Sequence, residues 1–211
     1  MALLLHEQLL AELETAVVAD RLVVSPLLDR SQVGPGSIDL RLGTEFIEVE
    51  RHTEAVIDPY ETQSIAATSA ENVRFVPLGD SLVLHPGQFV LGSTLEFIRL
   101  PAHLGAQVLS RSSWGRLGLL VATAVAVQPG FAGCLTLELV NTGSVPIRLR
   151  PGLRVAQLQV WSGDATNSTY SAGGGKYQAP LGPESNKLAW ESSELVRLRA
   201  IGEQLLGRNN P

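Results

Sequence analysis

The segment "SRSSWGRLG" at positions 110–118 concentrates hydrogen-bonding side chains directly before a long apolar run. It contains two arginines, Arg111 and Arg116, and the adjacent serines Ser112 and Ser113. A guanidinium group presents a fork of N–H donors that matches phosphate oxygens, and rotatable serine hydroxyls donate to the same acceptors. A polar loop with surface ion pairs is the alternative interpretation. The density of donors favours an anion-binding segment, and phosphate is the ligand that suits it best.

A carboxylate suited to acid–base chemistry follows in the segment "GCLTLELVN" at 133–141. If this segment is a β-strand, its side chains alternate between two faces, so three leucines point one way and Thr136 and Glu138 the other. With the leucines in the core, Glu138 projects from the opposite face. There it is either solvated or part of a site, and the phosphate-binding pattern upstream favours a site.

The bulk composition predicts a globular protein of one domain, with or without an appendage. The chain has 211 residues, of which 45% are hydrophobic and 18% are charged. Its longest apolar run, 119–127, is about half of what a bilayer-spanning helix requires, so we expect no membrane partner. The net charge of -5 argues against broad binding to nucleic acid. The single cysteine, Cys134, excludes an internal disulfide and a multi-cysteine zinc site, which makes the reducing cytoplasm the expected location.

The elements that must position these residues are mostly short strands. Residues 1–22 place apolar side chains at helical spacing and predict one amphipathic N-terminal helix. From residue 37 onward, β-branched and alternating segments are separated by Pro and Gly, which is typical of an all-β sandwich or barrel. The apolar run at 119–127 is predicted to be one of these strands and the floor of a pocket.

The C-terminal part of the sequence changes character twice. Residues 162–186 are polar and glycine-rich and are expected to be flexible until a ligand orders them. Residues 187–207 return to helical spacing and predict a helix packed on the body or on a neighbour. We therefore expect one domain at 1–186, which includes the tail at 162–186, and a helical extension at 187–211.

Several long motifs resemble one protein family, the dCTP deaminases, which form the nucleotide-deaminating branch of the trimeric dUTPase superfamily. The resemblance is carried by "RSSWGRLGLLVATAVAVQPGFAGCLTLELVNTG" (111–143), "RLVVSPLLDRSQVGPGSIDLRLGTEF" (21–46), "LHPGQFVLGSTLEFIRLPAHLGAQVLSRSS" (84–113), "VPIRLRPGLRVAQL" (145–158) and "GKYQ" (175–178). It covers most of residues 20–180. It implies a mainly β subunit, a distorted β-barrel or jelly-roll of the dUTPase-like type, with the N-terminal helix and the C-terminal helical extension added. It also implies a homotrimer whose active sites are shared between neighbours.

The resemblance assigns roles to individual residues. Glu138 is the implied general acid and base, Arg116 and Ser112 act beside it, and the backbone of Ala124 holds the attacking water. The implied nucleotide-binding residues come from the same motifs and from the closing tail: Arg111, Ser112, Ser113, Arg116, Gln128, Thr136, Leu137, Glu138, Tyr170, Lys176 and Gln178.

The implied reaction is the zinc-independent hydrolysis of dCTP to dUTP and ammonia. Cytidine deaminases that use zinc carry a His/Cys ligand set, but this chain has four histidines, one cysteine and no such spacing. A carboxylate in a partly desolvated pocket would have to activate water instead, because burial raises its pKa toward that of a general base. Mg²⁺ would enter with the triphosphate rather than through a protein cage.

The sequence departs from the family pattern close to the implied site. Members usually read "VHVTAxxIDPG" where this chain reads "VATAVAVQPG" at 121–130, so one residue is absent and an aspartate is replaced by Gln128. Ala126 stands where arginine or an aromatic residue is common. In the tail, Pro180 replaces a glutamine, for which Gln178 is the candidate substitute. Since glutamine cannot act as a base, Gln128 makes the interpretation as a bifunctional, dUTP-hydrolysing enzyme the weaker one.

Three functions are therefore open at this stage. The first is a dCTP deaminase, for which Glu138 is essential. The second is a dUTP diphosphatase or a bifunctional enzyme, in which water attacks phosphorus. The third is a nucleotide-binding trimer without catalysis, and it would bind dCTP, dUTP or dTTP without forming a product.

Overall fold

Strands are the predominant regular elements of the described chain. The computed structural model describes residues 2–48, 72–122, 126–177, 179–185, 187 and 192–205. Its helices and strands are, in chain order, β1 (Ala2–Leu3), α1 (His6–Glu14), β2 (Val23–Ser25), β3 (Ile38–Arg41), β4 (Glu45–Glu48), β5 (Asn72–Phe75), β6 (Leu82–Leu84), β7 (Phe89–Arg99), β8 (Leu104–Ser110), α2 (Ser112–Gly115), β9 (Leu119–Ala122), β10 (Ala126–Val127), β11 (Ala132–Asn141), β12 (Ile147–Leu149), β13 (Arg154–Ser162) and α3 (Ser192–Leu205). Short 3₁₀ turns lie at Val18–Asp20 and Arg30–Gln32. These elements confirm the mainly β prediction with a helix near each end.

The strands form two main sheets. One has the order β1-β13-β8-β10, with β3 also paired to β13. The other has the order β5-β4-β7-β11-β9, with β2 also paired to β7. A third, two-stranded sheet joins β12 to β6. One buried cluster takes side chains from both main sheets, including the fully buried Leu40, Phe46, Leu137 and Leu158. Burial of apolar surface in this cluster holds the strands that carry the candidate site in place.

The chain divides into two compact units. The strands described above and α1 belong to the unit that includes Met1–Glu48 and Val73–Glu184, whereas α3 belongs to the second unit. Taken by itself, α3 exposes Val196, Leu198, Ile201 and Leu205, and Arg199 Nε lies 3.3 Å from Glu203 Oε1 one turn away. The domain division expected at residue 186 stays a prediction.

The N-terminal helix is shorter than the sequence predicted. The prediction of one helix over 1–22 is wrong, because Ala2–Leu3 pair with β13 and α1 ends at Glu14. The backbone N–H of Leu22 donates to the carbonyl of Glu12 at 3.1 Å, so the chain turns back over the end of the helix. The Arg21 side chain donates to the Thr15 carbonyl there. The apolar spacing continued beyond Glu14, but a side chain donating to a terminal carbonyl stabilises a helix end that spacing does not reveal.

The apolar run at 119–127 does not form one strand. β9 pairs with β11 in the second main sheet, whereas β10 pairs with β8 in the first. Residues 123–125 lie between them and outside the described residues. The single-strand prediction is wrong because an apolar run indicates burial but not which sheet each half joins.

A buried polar network connects the two main sheets beneath the 3₁₀ turn at Arg30–Gln32. Glu96 on β7 is fully buried and accepts from Gln32 Nε2 at 3.0 Å and from the backbone N–H of Arg41 at 2.9 Å. Arg41 Nε in turn donates to Gln32 Oε1 at 3.2 Å. Burial raises the pKa of the Glu96 carboxyl, although these hydrogen bonds oppose the effect. The network fixes β3, and with it Asp39, against the second sheet.

Candidate active site

Glu138 lies on β11, the strand that is paired on both sides. It is opposite Leu91 of β7 on one side and Ala122 of β9 on the other. Leu137 and Leu139 are fully buried whereas Glu138 is half-buried, so the predicted alternation is confirmed here. Among the described residues, no side chain or backbone group donates a hydrogen bond to the Glu138 carboxylate. The strand holds the backbone of Glu138 in place, and its carboxylate accepts no hydrogen bond from the described residues. This combination suits a group that must exchange a proton with a ligand.

The alternation of buried and outward-facing side chains along β11 is interrupted just before Thr136. The register of β11 on β7 shifts between Cys134 and Thr136, and Leu135 is only partly buried. The backbone N–H of Leu135 donates to Thr94 Oγ1 at 2.9 Å instead of continuing the ladder. This irregularity leaves Thr136 on the outer face, where its Oγ1 accepts from the backbone N–H of Glu184 at 3.2 Å. Leu137 contacts the core with its side chain, so only its backbone is available to a ligand.

The arginine- and serine-rich segment leaves the end of β8 as the single helical turn α2. The Arg111 backbone N–H donates to the Val155 carbonyl at 3.2 Å, and the Arg116 N–H donates to the Ser112 carbonyl at 3.0 Å. Ser112, Ser113 and Arg116 are exposed, and Arg111 is half-buried. The segment therefore presents its hydroxyls and one guanidinium group to solvent while its backbone is anchored to β13.

A cavity of about 440 Å³ opens beside this segment. Three arginines contribute to its wall, Arg41, Arg111 and Arg154, together with Ser113. Trp114 also lines it, and its Nε1 donates to the Arg154 carbonyl at 2.8 Å. Guanidinium groups on a concave wall attract anions, and the anion-binding role of this segment stays a prediction.

The backbones of Arg116 and Glu138 lie at different positions along β11. Gly118, which follows Arg116 by two positions, accepts from the Thr142 N–H at 2.8 Å, so Arg116 lies beyond the Asn141 end of β11. Glu138 is three residues further along the strand, or about 10 Å at the rise of a β-strand. The backbones of the two residues predicted to act together are thus separated along β11, with Arg116 in the loop beyond its Asn141 end.

The tail lies against the body at the other end of β11. Tyr170 packs on Phe131 with ring centroids 5.9 Å apart, and its backbone N–H donates to the Pro129 carbonyl at 2.8 Å. Its hydroxyl accepts from the backbone N–H of Tyr177 at 2.8 Å, which folds the loop carrying Lys176 around the ring. These described residues of the tail are hydrogen-bonded to the body, and the flexibility expected for 162–186 stays a prediction.

Four further positions singled out in the sequence belong to the turn after β10 and to the tail, or lie outside the described residues. Gln128 is exposed at the turn after β10, where its carbonyl accepts from the Phe131 N–H at 3.1 Å. Pro180 is buried, and its carbonyl accepts from the Cys134 N–H at 2.7 Å. Ala124 and Gln178 lie outside the described residues.

Sequence reasoning missed Asp39 and Arg154. Arg154 lines the cavity, and its Nη1 lies 3.3 Å from Asp39 Oδ2. The one signal was the pair of charges inside the otherwise apolar "SIDLRLG" segment at 37–43.

Two further observations concern the described residues alone. No three His, Cys, Asp or Glu side chains in these ranges lie close enough together to hold a metal ion. None of the described helices has the length and apolar content needed to cross a bilayer.

The fold and the site define a mainly β protein that places a half-buried glutamate on β11 of the second main sheet and an arginine- and serine-rich cavity beside β3 and β13 of the first. A model of the dCTP deaminase-like family matches residues 9–163, and the chain belongs to this family. It is 42% identical over 172 residues to a "dCTP deaminase, dUMP-forming" of Dictyoglomus thermophilum, covering 80% of this chain and 87% of the relative. It is also 42% identical over 185 residues to a "dCTP deaminase" of Halorubrum lacusprofundi, covering 83% and 90%.

A solved structure supports the same fold. The crystal structure of 2'-deoxycytidine 5'-triphosphate deaminase from Agrobacterium tumefaciens matches with a TM-score of 0.57 and 27% identity. The match covers 76% of this chain and 48% of that chain, so this protein spans about half the length of the Agrobacterium chain. Both comparisons agree with the family that the motifs indicated.

Proposed function

We propose that this protein is a dCTP deaminase that hydrolyses the C4 amino group of dCTP, giving dUTP and ammonia. The observation that carries the proposal is the placement of Glu138, half-buried on a strand paired on both sides, with no hydrogen bond to its carboxylate from any described residue. Family membership and the names of the relatives supply the substrate class.

The chemistry assigned to Glu138 is proton transfer. The carboxylate removes a proton from a water molecule as the water oxygen bonds to C4 of the cytosine ring. Glu138 returns this proton to N3, and a second proton transfer from the added hydroxyl, again through Glu138, lets the exocyclic nitrogen leave as ammonia. The C4–O bond replaces the C4–N bond, so one water is consumed and no oxidant or reductant is needed.

The arginine- and serine-rich segment is assigned to the triphosphate. Arg111 and Ser113 line the cavity, and Ser112 and Arg116 are exposed beside it. Ser112 and Arg116 are also assigned to the reaction itself, where they steady the charge that develops near Glu138. Tyr170 and Lys176 belong to the tail and contact the nucleotide from the other side, together with Gln178 and the backbone of Ala124 as the resemblance implies.

Magnesium is assigned to the nucleotide rather than to the protein. The residues that face the cavity are arginine, serine, tryptophan, leucine and glycine, a set that suits phosphate oxygens and not a divalent cation. This donor set fits Mg²⁺ that is carried by the triphosphate. When bound, the ion neutralises part of the phosphate charge, and Arg111 and Ser113 bind the oxygens that remain.

We further propose a homotrimer in which each site takes residues from two subunits. The support is the separation of Arg116 from Glu138 by about 10 Å of strand within one subunit. A second subunit brings its own Arg116 to the carboxylate. We place the reaction in the cytoplasm, where Cys134 stays reduced.

The tail supplies a specific test of nucleotide binding. A Cβ on Gly175 would overlap the Tyr170 ring, so Gly175→Ala should displace the loop that carries Lys176. Relieving an overlap of this kind costs about 1–3 kcal/mol, so we expect the KM for dCTP to rise roughly tenfold or more. Gly163→Ala is the matched control, because a Cβ there meets no heavy atom within 4 Å. An equal KM in the two variants would contradict the role of the tail.

The products of the reaction decide between the candidate functions. Relatives carry both the plain name and the "dUMP-forming" name, so a bifunctional enzyme is the second candidate. Gln128, which replaces the family's aspartate and is exposed at its turn, favours dUTP as the final product.

Anion-exchange analysis after incubation with Mg²⁺ and, separately, dCTP, dCMP, CTP and dUTP tests the proposal. We expect dUTP and ammonia from dCTP, and no pyrophosphate. Formation of dUMP and pyrophosphate from dCTP would establish the bifunctional enzyme, and conversion of dUTP alone would establish a dUTP diphosphatase. Binding of dCTP or dTTP without any product would leave a catalytically silent trimer.

A further inference from the structure

Asp39 is a buried carboxylate shared by two arginines of the cavity wall. Its side chain is 11% exposed, Oδ1 lies 3.5 Å from Arg111 Nε, and Oδ2 lies 3.3 Å from Arg154 Nη1. Gln157 Nε2 donates to Oδ1 at 3.1 Å and fixes the carboxylate from β13. Burial of a carboxylate is unfavourable unless its oxygens are paired, and here both oxygens are.

The two arginines are held differently. Arg154 Nη2 donates to Ser31 Oγ at 2.8 Å and lies 3.4 Å from Asp29 Oδ2, so this guanidinium group is largely committed to the loop before β3. Arg111 has fewer partners. Its Nε faces Asp39, and its Nη1 donates to the Arg154 carbonyl at 3.4 Å. Two of the five N–H groups of its guanidinium face the protein, which leaves three for the cavity that Arg111 lines.

We infer that Asp39 is a positioning residue for the triphosphate: it holds the Nε edge of Arg111 so that the remaining N–H groups of the fork are presented to the phosphates. This deepens and rests on the function proposed above, in which Arg111 binds the phosphate groups. An arginine that is held on one edge loses less conformational freedom when it binds a phosphate bidentately. Asp39 contacts no part of the nucleotide and acts through Arg111.

The direction of the change in anion affinity distinguishes a positioning role of Asp39 from a purely electrostatic one. Asp39 is negative and lies next to an anion site, so removal of its charge should strengthen anion binding by Coulomb attraction alone. If Asp39 acts by orienting Arg111, its replacement should weaken binding instead. Asp39→Asn keeps the size of the side chain and removes the charge, so it tests this choice directly.

The experiment measures binding of inorganic tripolyphosphate to the full chain by titration calorimetry. We expect Asp39→Asn to raise the Kd for tripolyphosphate about tenfold, the size of effect given by one charge-assisted contact. The KM for dCTP should rise similarly, with kcat changed less than about twofold. In an Arg111→Met background, Asp39→Asn should cause no further loss of tripolyphosphate binding, because the group through which it acts is gone.

Asp29→Asn is the matched control. Asp29 also pairs with Arg154 but has no contact with Arg111 among the described residues, and its Oδ2 lies 3.4 Å from Arg154 Nη2. We expect its Kd for tripolyphosphate to stay within about twofold of the unmodified protein. If Asp39→Asn does not fold, Gln157→Met removes the amide that orients Asp39 and should weaken tripolyphosphate binding in the same direction, to a smaller extent.

The inference is overturned if Asp39→Asn leaves or tightens tripolyphosphate binding, if Asp29→Asn weakens it as much, or if the loss persists in the Arg111→Met background. The binding assay needs no turnover. A chain that binds tripolyphosphate in an Asp39-dependent manner but does not deaminate dCTP would refute the proposed function and leave this inference intact.

Discussion

Glu138→Gln is expected to lower kcat for dCTP deamination about a thousandfold, within the range that general acid–base catalysis contributes. The amide keeps the shape of the side chain but can neither accept the proton of the attacking water nor return it to N3. Because the phosphates are bound elsewhere, the Kd for dCTP should change less than about threefold. Stopped-assay product analysis and titration calorimetry on the same preparation measure the two quantities.

Glu48→Gln is the control for this substitution. Glu48 also lies in the second main sheet, is similarly half-buried, and pairs with Arg74 Nη1 at 2.9 Å rather than with a ligand. Its kcat should stay close to that of the unmodified protein. Unchanged turnover in Glu138→Gln would refute the mechanism, and a loss of dCTP binding equal to the loss of turnover would make Glu138 a binding group only.

Two inactive variants are expected to restore activity when they are combined in one trimer. If each site pairs Glu138 of one subunit with Arg116 of the next, a random trimer of Glu138→Gln and Arg116→Met subunits contains intact sites. Every trimer that contains both kinds of subunit has one of its three interfaces in the required order, so about a third of normal activity should return in the mixed trimers. Co-expression with two different tags and purification over both supplies the mixed trimers.

The matching control replaces the Arg116→Met partner with the double variant Glu138→Gln, Arg116→Met. Mixed trimers of this pair have no intact Glu138, so they should stay inactive. If neither mixture regains activity, the Arg116 and Glu138 of one active site belong to the same subunit. This result would hold although β9 separates the two residues along the sheet.

The position of Glu138 on its strand was predictable because the signal was local. Alternation along a strand depends only on neighbouring residues. The segment "LTLELV" was therefore enough to place Glu138 on the other face of the strand from Leu137 and Leu139. The arginine- and serine-rich segment was predictable for the same reason, since its donors are adjacent in the chain. The class of fold followed from the frequency of short strands and turns.

What could not be predicted depends on contacts between distant residues. Asp39 and Arg154 are 115 positions apart, and no pattern around either one indicates the other. The length of α1 was overestimated because its end is stabilised by Arg21, a residue beyond the helix. The contacts of the tail with Phe131, Pro129 and Cys134 could not be predicted either, because only the fold reveals the positions of these residues.

The way in which the tail is attached bears on the slow step of catalysis. Near Pro180 it is held to β11 by isolated hydrogen bonds, from the Cys134 N–H to the Pro180 carbonyl and from the Glu184 N–H to Thr136 Oγ1. Proline has no N–H, so this segment cannot extend into a continuous ladder with β11. Detachment of the tail therefore breaks single contacts one at a time and does not require the sheet to open. If the tail covers the bound nucleotide as proposed, the product can leave while the strand that carries Glu138 keeps its geometry for the next substrate.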